Sequence, residues 1–197
     1  MKKFFAIFLS IILIAVMAVC LVGCGPEEAE AKALVKDLMS RSFELNEIYF
    51  GKKGLAYRDT GNSNDIYMPV LETEKYVLKS QLVDATTAVF SLDYSSSIIS
   101  MAFGGVQSEI NQNSVQSRFM VLSDDDWLYV NKNYDYPIEN FTEYDLNTIV
   151  ITYTSGSFIE ATVEGKVKTD KGETKKVTAE ITLVNEKSGW RLQSSTY

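Results

Sequence analysis

The C-terminal stretch from Thr148 onward constrains the fold most. It divides into Thr148 to Thr154, Phe158 to Thr169, Thr174 to Val184 and Trp190 to Thr196. The breaks between these runs are Ser155-Gly156-Ser157, Asp170-Lys171-Gly172-Glu173 and Asn185 to Gly189. Runs rich in Val, Ile and Thr, joined by short turns of this composition, predict a four-stranded antiparallel meander. In the third run Val177, Ala179, Ile181 and Leu183 alternate with Thr178, Glu180 and Thr182, so one face is buried and the other is wet. At about 3.3 Å per residue the two central strands reach roughly 35 to 40 Å, too long to stay flat against the right-handed twist. Gly165 is the predicted bulge at which the sheet bends and becomes concave. A helix laid in that concavity buries both surfaces.

Such a helix is predicted ahead of the sheet. Pro26 is followed by Glu27, Glu28 and Glu30, acids suited to a helix N-terminus, and then Leu34, Leu38, Leu45 and Ile48 recur at helical spacing, widened by Val35 and Met39. Gly51 to Asp65 reads as a surface loop. A second helix is expected from Ser80, as cap, to Phe90, and a third from Leu92 to Phe103, capped by Ser91 and stopped by Gly104-Gly105. Beyond Val106 the pattern changes to strands. SRFMVLSDDDWLYV predicts a hairpin with Asp124, Asp125 and Asp126 in its turn, and Trp127 and Tyr129 on the inward face. Three adjacent aspartates raise a calcium site, but the residues that follow supply neither the spaced ligands nor the glycine of an EF-hand loop, so no metal is expected.

The N-terminus carries an address. Lys2 and Lys3 precede an apolar run from Phe4 to Val22 that only Ser10 interrupts, an export signal in outline. Its length would equally suit a spanning helix. Leu21-Val22-Gly23-Cys24 decides between them, because it resembles the lipobox of bacterial lipoproteins. The resemblance implies cleavage between Gly23 and Cys24 and attachment of fatty acyl chains, such as palmitate, to the Cys24 sulfur. Two acyl chains hold a protein stably in a bilayer where one holds it marginally. The chain then divides into a signal peptide (1–23), a lipidated tether (24–30) and a single α+β domain (31–197). Gly25 stands where an aspartate would resemble a Gram-negative retention signal. The implied location is extracytoplasmic, on the outer face of the cell membrane in a Gram-positive host.

Loss of residues 1–23 removes Lys2 and Lys3 and no acid, moving the net charge from −7 to −9. So acidic a domain lacks the basic surface that nucleic acid requires. Cys20 leaves with the signal and Cys24 is consumed by lipid, so the domain has no disulfide and no free thiol. The chain contains no histidine, which excludes Ser-His-Asp and Cys-His catalysis and histidine-ligated zinc. Carboxylate pairs or a serine-lysine dyad remain as catalytic options, with Glu139, Glu143 and Asp145 as candidate acids against a background of solvated surface charge. Gly104-Gly105 is too isolated for a phosphate loop, and no cofactor is expected.

One stretch suits recognition. Trp127, Tyr129, Tyr134, Tyr136, Phe141 and Tyr144 are interleaved with Asp135, Glu139, Asn140 and Glu143. Tyrosine and tryptophan bury large areas while keeping a polar handle. Tyr134, Tyr136, Phe141 and Tyr144 are the predicted ligand or partner surface, exposed in an irregular segment. The element order, from leading helix to the closing KVTAEITLVNEKSGWRL, resembles the NTF2-like or cystatin-like α+β group. Members of that group include enzymes, ligand-binding modules and accessory domains, so the resemblance implies a shape rather than an activity. The expected function is a non-enzymatic binding module facing a cell-envelope protein or cell-wall polymer. The alternatives are an inhibitor or regulator of cell-wall hydrolases, as the small exported IseA-type proteins suggest by their similar layout, and a carboxylate-based enzyme acting on glycans.

Overall fold

The computed structural model describes residues 25–107, 115–122, 125–134, 141–168 and 172–197. Gly23, Cys24, Asp124, Asp135, Tyr136, Glu139 and Asn140 lie outside the described residues. Helix α1 runs Glu28–Phe50 and buries Ala31, Val35, Leu38, Met39, Leu45, Ile48, Tyr49 and Phe50. The predicted stripe is present, except that Leu34 sits at its rim, partly buried. Because α1 begins at Glu28, the last three residues assigned to the tether belong to the helix.

The main sheet contains β6 (Glu143–Tyr144), β7 (Val150–Thr154), β8 (Phe158–Lys168), β9 (Thr174–Glu186) and β10 (Gly189–Leu192). It is antiparallel and curled, in the order β10-β9-β8, with both β6 and β7 lying along the far edge of β8. The alternation seen in sequence is the alternation of burial: Ile159, Ala161, Val163, Ile181 and Leu183 join the core from one face. Residues of α1 share that core, and α1 packs against β7 and β10. At 1.5 Å per residue the helix is roughly 35 Å long, close to the length of β8, and the sheet's inner face is buried over Ile159 to Val163 and Ile181 to Leu183 while its Lys175 end stays exposed.

Two strand features differ from expectation. Gly165 is no bulge, since β8 and β9 pair without a break from Phe158↔Val184 to Lys168↔Thr174. The irregularity lies instead in β7, between Ile151 and Tyr153. Gly165 is there for room: a Cβ on it would stand 2.7 Å from Thr142 Cγ2 and 3.0 Å from Tyr144 Cδ1. The last strand ends at Leu192 rather than Thr196. Beyond it the chain leaves the sheet, and Thr196 Oγ1 is buried against Ser42 Oγ at 2.6 Å and Asn46 Nδ2 at 2.8 Å of α1.

Helices α2 (Lys79–Val89) and α3 (Leu92–Gly104) precede a smaller sheet of β1 (Tyr67–Pro69), β4 (Phe119–Val121) and β5 (Leu128–Asn131), ordered β1-β5-β4. Strands β2 (Val106–Gln107) and β3 (Val115–Gln116) pair separately. The predicted hairpin is β4-β5, but its inward residues are Leu128 and Val130, while Trp127 and Tyr129 are half-buried. Trp127 is held outside the core by its indole N–H, which donates to the Val70 carbonyl at 3.2 Å. Ser91 caps α3 as expected, and Gly105 ends it in the left-handed region at φ 80°. Among the described residues no helix is long and apolar enough to cross a membrane.

The helices take caps from distant strands. α1 has no basic residue in its last turn. Arg118 supplies one, donating through Nε and Nη2 to the carbonyls of Ile48 and Gly51 at 2.5 and 2.8 Å. The N-terminus of α2 is capped not by Ser80 but by Asp126, because the boundary falls at Leu78, whose side chain accepts nothing. Lys79 N donates to the Asp126 carbonyl at 2.8 Å and Ser80 N to its Oδ2 at 2.9 Å. Arg191 Nε donates to Thr87 O near the end of α2 at 2.8 Å, and Leu92 N opens α3 by donating to Glu186 Oε1 at 2.9 Å. Acids therefore meet helix N-termini and bases meet C-termini, as the helix dipole favours, and end groups without intrahelical partners are satisfied.

Candidate functional site

The concave face of the main sheet is occupied by α1 and holds aliphatic core. The opposite face carries an open trough of about 590 Å³ across β6, β8 and β9. Its construction follows from the period of two along each strand. Tyr144, Gly165 and Val177 form one cross-strand row whose backbone is the floor, with side chains turned toward α1. The flanking rows face water. Glu143, Lys166 and Lys176 are register partners in one wall. Asp145, Glu164 and Thr178 make the other, joined by the Asp145 N to Glu164 O hydrogen bond at 2.9 Å and the Glu164↔Thr178 pairing.

Neighbours within a row sit about 4.5 to 5.5 Å apart at Cβ, close enough for like charges to repel. Lys166 faces Lys176, and Asp145 faces Glu164. Two like-charge pairs of opposite sign thus stand on either side of a backbone floor, with Glu143 completing the basic row. Asp145 also has structural work. Its Oδ1 accepts from the backbone and side-chain nitrogens of Asn147 at 3.0 and 3.1 Å, and its carbonyl accepts the Thr148 hydroxyl at 2.7 Å. That turn splices β6 to β7, leaving Glu143, Glu164, Lys166 and Lys176 as the groups presented to solvent. A second hollow of about 330 Å³, between Arg58, Leu71, Glu72 and Trp127, is smaller and mostly apolar.

The predicted aromatic surface divides. Tyr134 is 5% exposed, with the Arg118 guanidinium 5.3 Å from its ring centroid, so the exposure expected of it is not found. Its ring faces the cation that caps α1. Tyr144 is half-buried and stacks on Phe43 of α1 at 6.1 Å with an 8° interplanar angle, and burial holds its phenol above the ordinary tyrosine range. Phe141 packs partly against the core. Of the candidate acids, Glu143 and Asp145 meet in the trough, joined by Glu164, Lys166 and Lys176, which the sequence reading did not single out. The register of β8 and β9 held the signal for them: once Thr174 pairs with Lys168, Lys166 must face Lys176.

Asp125 Oδ1 accepts from Trp127 N at 3.2 Å while Asp126 caps α2, so the described part of the aspartate run is engaged in turn and cap hydrogen bonds. No group of three or more histidine, cysteine, aspartate or glutamate side chains among the described residues is placed to hold a metal ion. In comparisons with known proteins, no family model matches the chain and no curated protein matches it.

Proposed function

We propose that the chain is an exported lipoprotein, anchored through acyl groups on Cys24, whose α+β domain is a non-enzymatic binding module at the outer face of the cell membrane. The lipobox-like Leu21-Val22-Gly23-Cys24 supports the anchor, and a leading helix over a curled antiparallel sheet supports a place near the NTF2-like or cystatin-like group. The observation that carries the binding reading is the trough. Paired lysines beside paired carboxylates on an open sheet face suit an extended partner bearing both carboxylates and amines, which describes a cell-wall peptide or an exposed segment of an envelope protein.

Solubilised cell-wall fragments titrated against the full lipidated chain in detergent test the idea. Lys166→Glu combined with Lys176→Glu is expected to weaken binding at least about tenfold, equivalent to about 1.4 kcal/mol. The trough is the wrong surface if the double variant binds as the parent does. A glycan-acting enzyme is a second reading, favoured by the meeting of Glu143 and Glu164 in one cavity. It requires turnover of cell-wall glycan that Glu143→Gln or Glu164→Gln abolishes, and a binding module shows no turnover to lose.

A further inference from the structure

The described chain begins at Gly25, and Gly25 lies against the β7–β8 turn. A Cβ on Gly25 would stand 2.6 Å from the Ser155 backbone nitrogen and 2.8 Å from its Cα. An anchor attached just ahead of Gly25 would therefore join the domain near Ser155. The strand residues flanking that turn are aromatic and open to water: Tyr153 is 53% exposed and Phe158 43%. Both project from the outer face, as diagonal neighbours, since Tyr153 pairs with Glu160 and Ser155 N donates to Phe158 O. The same end of the sheet continues through Asn185, whose N–H donates to Ser157 O, to Glu186, whose carboxylate holds Leu92 N. Leu92 is 66% exposed. Single exposed apolar residues are ordinary on a protein surface, but three at the end where the chain meets its tether are not scattered.

We propose that this end of the molecule docks on the bilayer, with Tyr153, Phe158 and Leu92 seated in the headgroup region beside the lipid anchor. Aromatic side chains favour that depth, where the ring is shielded and a hydroxyl stays hydrated. Of the charged groups at this end, Glu186 and Arg191 are occupied by helix ends and turn carbonyls, while Asp84 and Asp93 near Leu92 and Glu160 opposite Tyr153 are exposed and keep their contact with water at the headgroup level. Docking fixes an orientation. From Phe158 to Lys166 is eight residues along β8, so the trough is carried roughly 26 Å from the membrane-facing end.

The inference rests on the lipid-anchor reading, and its test separates the two. Once Cys24 is acylated the mature chain has no other thiol, so single labels are clean. Tyr153→Cys, Phe158→Cys and, at the opposite end of the sheet, Thr174→Cys are each placed in the full chain. Each protein is labelled with an environment-sensitive dye and reconstituted in vesicles of phosphatidylethanolamine and phosphatidylglycerol. Labels at 153 and 158 should shift to the blue and lose emission to nitroxide-bearing lipids, while the label at 174 does neither. Tyr153→Asp with Phe158→Asp should keep the native circular dichroism yet release a label at Leu92→Cys into water. If intact mass shows lipid on Cys24 and all labels stay in water, docking is overturned and the anchor stands. An unmodified Cys24 overturns both. Shielding that follows protein concentration and ignores lipid quenchers assigns the patch to a second copy of the chain and overturns docking.

Discussion

Arg118 shows how a single residue joins two parts of this fold. It is 1% exposed, its guanidinium lies over the rings of Phe119 and Tyr134, and it closes the C-terminus of α1. Arg118→Met keeps the bulk and removes the donors. It leaves the Ile48 and Gly51 carbonyls without that partner, and should cost about 3 kcal/mol by urea unfolding. Asp126 does the corresponding work at the N-terminus of α2. The Ser80 hydroxyl and N–H, with the Lys79 charge, hold its carboxyl below the usual aspartate range. A folded-state value below the unfolded one means stability that is present above about pH 4 and lost as pH falls through the folded value. Asp126→Ala should therefore lower the melting temperature at neutral pH, and the gap to the parent should close on acidification. A sequence does not expose such caps. Ser80 looks like a cap because it precedes an apolar run, whereas the acceptor arrives from a residue 46 positions away. Tyr134 looks exposed because its neighbours are polar, and the cation it faces is distant in sequence.

The strands of the meander were legible from Thr148 onward because a period of two is a strong signal over eleven or thirteen residues. Among the short elements the β4-β5 hairpin was legible from its apolar runs about the aspartates, but β1 and β6 gave no signal. β1 is three residues ending in a proline, and β6 is two, and both exist only because a longer strand is there to pair with them. Half of the trough was legible, in Glu143 and Asp145; the other half required the register of β8 on β9. Gly165 is the element-scale test. Gly165→Ala should push Thr142 and Tyr144 off β8 and cost about 1 to 3 kcal/mol, as overpacking does. Amide exchange should rise first at Glu143 and Tyr144, while β8–β9 stays protected. Uniform loss of protection would mean that β6 is part of the main sheet's cooperative unit rather than a strap laid over it.

Across the whole molecule, a domain without cysteine joins its two ends by buried hydrogen bonds. Thr196 meets Ser42 and Asn46 across 154 and 150 residues of chain. Thr196→Val preserves shape and removes the hydroxyl, leaving two buried polar groups without that partner, at a cost of about 1 to 3 kcal/mol. Calorimetry should show one transition moved to lower temperature, and a split transition would refute the coupling of tail and helix. The sheet also has a mechanical consequence. If the proposed anchor holds the chain just ahead of Gly25 and the proposed partner grips the trough, the load enters through α1 and leaves through the far end of β8 and β9, parallel to both strands. The packing of α1 on the sheet then carries the load in shear, while the eleven register pairs of β8 and β9 keep the gripped end together. Under the proposed anchoring, tension falls on a broad packed interface rather than on a hairpin peeled open from its turn.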